Sequence, residues 1–266
     1  MSEQKAPLPI MPATTVLLLR PKANGAAGFE VFMVVRHHKI DSFSGALVFP
    51  GGKVDAHDRD AALRAHADGG DALDDLQLSL AACTIREGFE ESGILLARRT
   101  GSRDLISAEH ATSLKDWRPK LNAGDAGLVE FLTKENLRLA CDALIPFAHW
   151  VTPPFMPKRF DTYFYIAATP AGQLGRHDGS ESVDSVWVNP TEAIGDKRWT
   201  IIFPTKMNLL KLAHTKTAEE ALLLARKTPV VTVLPEVVKR GDNSFLTIPE
   251  NAGYGKIEEP MSSVRG

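Results

Sequence analysis

Arg86-Glu87-Gly88-Phe89-Glu90-Glu91-Ser92-Gly93-Ile94 is the stretch on which the reading of this chain turns. On a helix, at about 100° per residue, Leu78, Ala82, Ile85 and Phe89 fall on one side and Glu87, Glu90 and Glu91 on the other. The spacing predicts a helix over residues 78–96, apolar toward a core and acidic away from it. Gly93 fits a helix terminus or a tight bend. Glutamates at i, i+3 and i+4 repel one another by about a few tenths of a kcal/mol per pair on an exposed helix. A divalent cation reverses the sign of that term, and carboxylate oxygens are the ligands that Mg²⁺ and Mn²⁺ prefer. In isolation such an acidic face reads as solvated. Two neighbours shift the reading. Arg86 can orient the acids, and Pro50-Gly51-Gly52 permits backbone conformations that other residues resist, with a glycine carbonyl as a further metal ligand.

Outward from this helix, strands and helices alternate. Residues 13–20 and 29–36 read as strands joined by a turn at 24–28, and residues 46–49 as a short strand that stops at Pro50. Residues 58–77, rich in Asp, Ala and Gly, carry weak helical signals and read as a solvated acidic cover. Residues 128–136, 203–213 and 218–226 read as helices, the last capped by Thr217, with short helices after Ser107 and Thr191. Residues 148–151, 161–169 and 183–188 read as strands, and 230–234 is expected to pair with 245–248. This interleaving predicts an α/β fold with a mixed sheet carrying helices.

The 266 residues suit one elaborated domain or two small ones, and a net charge of −2 opposes bulk attraction to nucleic acid or an anionic membrane. Two cysteines, Cys83 and Cys141, make no disulfide framework and point to a reducing compartment. The apolar run at residues 16–19 is far short of the roughly 20 residues that span a bilayer. Residues 1–12, with three prolines, read as a flexible lead-in without the pattern of a signal peptide. His37, His38 and His57 match no compact zinc spacing.

Gly52, Asp58, Arg86, Glu87, Glu90, Glu91, Gly93 and Ile94 together resemble the signature of the Nudix hydrolase family, G-x5-E-x7-R-E-U-x-E-E-x-G-U with U apolar. Asp58 stands in the place of the first glutamate, and Gly88 in that of an apolar residue. Between Asp58 and Arg86 lie 27 residues where the signature has seven, an insertion of 20. A surface insertion of that size adds little closure entropy. Residues 47–58, 149–153 and 157–164, and Glu181 followed by Trp187 and residues 189–193, resemble the branch typified by the peroxisomal coenzyme A diphosphatase, which carries such a split box. The resemblance covers roughly residues 14–212.

The resemblance implies an α/β/α sandwich elaborated by the box insertion and a C-terminal extension. Its domain would run over residues 13–214, with the insertion at 59–78 and the extension at 215–266. It implies metal-dependent hydrolysis of the pyrophosphate in a nucleoside diphosphate conjugate, with coenzyme A or acyl-coenzyme A as the expected substrate. An ADP-ribose or nucleotide-sugar pyrophosphatase and a catalytically silent nucleotide-binding module are the alternatives. Mg²⁺ or Mn²⁺ would be held by Glu87, Glu90 and Glu91 with the carbonyl of Gly51 or Gly52. Arg86 would orient them. Glu90 or Glu91, or Glu181 on a later loop, would act on the attacking water. Arg36 and Arg159 are candidate phosphate ligands and Phe160 a candidate adenine stack. Residues 40–45 lack the basic residues that mark coenzyme A readers in other branches. A homodimer is a candidate assembly, as in many relatives. The closing Ser-Ser-Val-Arg-Gly is not the peroxisomal Ser-Lys-Leu address, so a cytoplasmic location is expected.

Overall fold

The computed structural model describes residues 9–22, 26–37, 45–179 and 182–261. In chain order the elements are β1 (Ile10–Pro21), β2 (Phe29–Arg36), β3 (Leu47–Val48), β4 (Gly51–Lys53), β5 (Ala67–Asp68), α1 (Asp75–Ser92), β6 (Ala97–Arg99), α2 (Ala108–Ser113), α3 (Arg118–Asn122), α4 (Leu128–Lys134) and β7 (Leu137–Ala140). There follow β8 (Ile145–Val151), β9 (Arg159–Ala168), β10 (Ser182–Val188), α5 (Pro190–Gly195), α6 (Phe203–Ala213), α7 (Ala218–Lys227), β11 (Thr232–Val233), β12 (Glu236–Arg240), β13 (Asn243–Thr247) and β14 (Glu258–Pro260).

The main sheet runs β10-β2-β1-β9-β8-β11 and is mixed: β1 lies parallel to β9 and antiparallel to β2. β2 stays beside β1 only at the Leu19–Pro21 end. At the other end Ala13, Thr14 and Thr15 pair instead with Lys53, Gly52 and Gly51 of β4. The expected strand at 46–49 is β3 on β2, stopping before Pro50, and an unexpected short strand, β4 on β1, follows it at the glycines. The Pro50 carbonyl accepts from the Val16 amide at 2.9 Å, so the break costs no hydrogen bond.

Alternation along the strands gives the sheet two apolar faces. Val16, Leu18, Phe32, Val34, Tyr165 and Ala167 pack with Ile85 and Phe89 of α1. Leu17, Leu19, Val31, Met33, Phe164 and Ile166 pack with Met207 and Leu212 of α6 and Ala221 and Ala225 of α7. The expected α/β/α sandwich is what results.

Several expectations change. The box helix runs Asp75–Ser92 rather than 78–96, because Gly93 turns left-handed at φ 72° and caps it. Strand β1 begins at Ile10, inside the stretch read as a flexible lead-in. The insertion is solvated over Asp60, Asp71, Asp74 and Asp75, which are exposed, but it is also anchored to the domain. Its turns bury Leu63 completely, β5 pairs with β7, and Asp68 accepts from Arg138 at 2.5 Å and Arg98 at 3.3 Å. Residues 230–234 do not pair with 245–248. Thr232 and Val233 extend the main sheet beside β8, while β13 forms a hairpin with β12. The hairpin wins because Gly241 sits at the bend with φ 59°, which suits a tight turn. Among the described residues no helix is long and apolar enough to cross a membrane.

Candidate active site

α1 is fixed at both ends. Asp74 accepts from the Gln77 amide at 2.8 Å and the Gln77 side chain accepts from the Asp74 amide at 3.0 Å, a reciprocal capping box. At the far end the Gly93 amide donates to Phe89 O at 2.8 Å. Between them the acidic face is not solvated. Glu90 and Glu91 are 3% and 5% exposed, because β4 and the turn at Asp55–Asp58 lie over them.

Arg86 is the hub of that covered face. Its Nε and Nη2 donate to the two oxygens of Asp58 at 2.8 and 2.7 Å, a two-pronged pair. Nη1 reaches Glu87 at 2.8 Å and both Glu90 oxygens at 3.2 Å, and Nη2 also reaches Lys53 O at 3.1 Å. Asp58 in turn accepts from the Asp55 amide, while Asp55 accepts from the amides of His57 and Asp58. An aspartate at this position, one methylene shorter than the signature's glutamate, still closes the pair because its turn brings it in.

The charges do not balance. Burial raises the Glu90 carboxyl, Arg86 opposes that, and Glu87 adds to it, so the group is pushed up to about 8. Arg86 cannot cancel the effect because it is shared with Asp58 and Glu87. Burial works against the guanidinium's own charge, yet its bonds to Asp58 and the charge of Glu87 outweigh this and raise its pKa.

Gly51 and Gly52 are required by close approach. A Cβ on Gly51 would lie 2.2 Å from Thr14 O, and one on Gly52 would lie 2.3 Å from a Glu87 oxygen. The Gly51 amide donates to Glu91 at 3.1 Å. These two glycines, Arg86 and the three glutamates are thus brought together as the sequence predicted. Among the described residues no three His, Cys, Asp or Glu side chains form a ready metal cage. The donor chemistry nevertheless fits a divalent cation. Hard oxygen ligands crowd round a single guanidinium, and burial together with the Glu87 charge pushes the Glu90 carboxyl toward its neutral form.

The remaining candidates are scattered. Arg36 ends β2 on the α1 face of the sheet, by alternation with Phe32 and Val34, and its Nε is buried without a hydrogen-bond partner among the described residues. Arg159 alternates with Asp161 and Tyr163 onto the same face and donates to Thr152 O at 3.0 Å. Phe160 alternates with Phe164 and Ile166 onto the opposite face. Glu181 lies outside the described residues. Sequence reasoning assigned no role to Asp58, although its sixth place after Gly52 was the available signal. Arg118, which donates to Glu90 O at 2.9 Å, was missed because nothing in residues 100–125 marks it. Cys83 is buried as expected, between Thr14 at 3.2 Å and Arg86 at 3.6 Å, and burial raises its thiol well above the ordinary value.

Known proteins share this fold. The structure is similar to a crystal structure of a NUDIX hydrolase from Alicyclobacillus acidocaldarius, with a TM-score of 0.63 and 24% identity over 81% of this chain and 96% of that one. Among curated proteins, the acyl-coenzyme A diphosphatase NUDT19 of Xenopus laevis is 24% identical over 233 residues, 72% of this chain and 61% of that protein. The Gallus gallus protein of the same name is 26% identical over 65% of this chain and 57% of its own. A putative nudix hydrolase 7 of Caenorhabditis elegans is 29% identical over 70% and 57%. The chain therefore spans about three-fifths of the length of the curated relatives it matches. The model of the NUDT19 Nudix domain matches residues 63–205, more than half of the chain, and on that match the protein belongs to the NUDT19 Nudix family.

Proposed function

We propose that this protein is a divalent-metal-dependent hydrolase that cleaves the pyrophosphate of a nucleoside diphosphate conjugate, with coenzyme A or acyl-coenzyme A as its substrate. The observation that carries the reading is the cluster beside Gly51-Gly52, with Glu90 and Glu91 buried, Glu87 half-buried, Glu87 and Glu90 bonded to one guanidinium and Glu91 to the Gly51 amide. The names of the NUDT19 relatives support the choice of conjugate. Glu87, Glu90 and Glu91, with the carbonyl of Gly51 or Gly52, would hold Mg²⁺ or Mn²⁺, which neutralises phosphoryl charge and lowers the pKa of a bound water.

The chain's own residues set the rest. Arg86 and Asp58 clamp α1 to the turn after β4, so the carboxylates stay beside the glycines. The Gly51 amide steers Glu91. Burial favours the neutral form of the Glu90 carboxyl despite Arg86, so a divalent cation bound there would displace a proton. Glu90, Glu91 or Glu181 takes the proton of the attacking water. Arg36 and Arg159 share the sheet face of the carboxylates and are the phosphate contacts. Phe160 is on the other face, and the proposal places no base on it. A silent binding module is disfavoured because the box acids are intact.

The test is cleavage of coenzyme A, acyl-coenzyme A, ADP-ribose and NADH by purified protein with Mg²⁺ or Mn²⁺. Release of 3′,5′-ADP from coenzyme A, and loss of about 10²–10⁴-fold in rate in Glu90→Gln, are expected. No cleavage of any of the four would sink the reading.

A further inference from the structure

The C-terminal turn of α1 carries Glu90 and Glu91 and leaves its last carbonyls without helical partners. Three of them are satisfied from outside the helix body. Phe89 O accepts from Gly93, Glu90 O from the Arg118 Nε at 2.9 Å, and Ser92 O from the Arg176 amide at 2.6 Å. Arg118 also donates through Nη2 to Arg176 O at 3.0 Å. The Arg176 residue is thus held at both its N–H and its C=O, one directly by α1 and one through Arg118.

The segment round Arg176 is seated by further close fits. Gln173 is buried and accepts from the Leu95 amide at 2.9 Å while donating to Ile106 O at 3.1 Å. Gly175 lets the rings and methyls of Phe32 and Ile94 approach to within 3 Å of where its Cβ would be. Arg118 has a firm mount of its own. The preceding Trp117 donates to Glu135 at 2.8 Å and packs on Phe131 with ring centroids 5.2 Å apart. Gly93 leaves room for the guanidinium, since a Cβ there would stand 3.3 Å from Nη1. The cation also complements the negative end of the α1 dipole.

We propose that Arg118, outside the signature, is a positioning residue for the site. Its guanidinium straps the glutamate-bearing end of α1 to the segment at residues 173–179, and so holds the box acids in place. The inference rests on the pyrophosphatase reading for its catalytic consequence, and on geometry alone for the strap.

The test uses the full chain carrying Arg118→Ala or Arg118→Lys. Hydrogen exchange is followed in peptides covering residues 86–96 and 174–182, Mn²⁺ affinity by titration, and kcat and KM with coenzyme A. Arg118→Ala is expected to speed exchange in both peptides and to lower kcat by about 10- to 100-fold, since a displacement of about 1 Å can cost that much. KM and Mn²⁺ affinity are expected to stay within about threefold. Arg118→Lys keeps the charge without the two-pronged geometry, so its exchange stays fast and its kcat low. It carries the test if the alanine variant does not fold. Unchanged exchange in residues 174–182, or full rescue of kcat by lysine, overturns the strap. A wild-type protein that cleaves no pyrophosphate, with exchange still faster in the variants, overturns the pyrophosphatase reading and not the strap.

Discussion

α1 and α7 each carry an adjacent pair of glutamates, at the C-terminal end of α1 and in the first turn of α7, and put them to opposite uses. On α7, Glu219 and Glu220 are exposed, the Glu220 carboxylate accepts from the Lys216 amide while its own amide donates to the capping Thr217 hydroxyl, and only Ala218, Ala221 and Ala225 are buried. On α1, 14 of 18 residues are buried, the acids Glu90 and Glu91 among them. The difference lies in what covers each helix. α7 has water over its acids; α1 has β4, Asp58 and the fork of Arg86. An acidic helical face becomes a site when another part of the chain takes it out of water and supplies too little positive charge to satisfy it.

The sharpest way to break the comparison is Arg86→Ala. It strands Asp58, Glu87 and Glu90 without their shared counter-ion, and removing one partner of a buried ionic group costs about 3–5 kcal/mol. The matched control is Arg198→Ala, whose pair with Asp196 lies at the solvent-exposed surface and is expected to change stability little. Urea titrations of the two variants should differ by several-fold in lost stability; equal losses would erase the distinction between the helices.

The two glycines divide stability from activity. Gly51→Ala pushes a methyl against the Thr14 carbonyl, which is backbone in the sheet, and is expected to cost about 1–3 kcal/mol or more. Gly52→Ala pushes instead against the end of the Glu87 side chain, which can swing away. Its melting temperature should barely move, while metal affinity and turnover fall about tenfold or more, the scale of disturbing a ligand's support. Calorimetry alongside turnover with Mn²⁺ separates the two.

A third probe lies on the other sheet face. Lys211 on α6 donates to Phe147 O at 2.8 Å and faces the rings of Phe147 and Tyr254, and burial pulls its amine from 10.5 down to about 8. The unfolded chain therefore binds this proton first as pH falls. The associated stability is full above pH 10.5, fades as pH falls through about 8, and is absent below. Melting curves of the wild type and Lys211→Met at pH 7 and 10 should show the wild type gaining on the variant as pH rises. A pH-independent gap would remove the buried lysine from the comparison. The smallest effect is expected on α7 itself. Thr217→Ala removes a cap bonded to the Glu220 amide at 3.1 Å, worth about 1 kcal/mol, with turnover untouched.

Much of this was legible in the sequence where chemistry is local. The amphipathic stretch to Ser92, the glycine that ends it, Pro50-Gly51-Gly52 and the alternating strands announce themselves through spacing. What stayed hidden depends on contacts distant in sequence. No pattern in α1 shows that its acidic side is covered, since the cover is supplied by residues 51–58. Asp68 reads as one more solvated acid until Arg138, 70 positions on, is seen bonded to it. Arg118 has no motif because its partners are two backbone carbonyls, which any sequence supplies. The pairing of 245–248 was misread because adjacent strands and a glycine turn at 241 outcompete a more apolar but more remote partner.

The bond between Asp58 and Arg86 has one more consequence. Both halves of the signature meet there through side chains, across an insertion that leaves at Asp58 and returns at the cap Asp74. Peptide continuity through residues 59–73 is therefore not what keeps the halves in register. A protease nick in that segment would leave two fragments still joined by β-sheet, core and the same guanidinium fork.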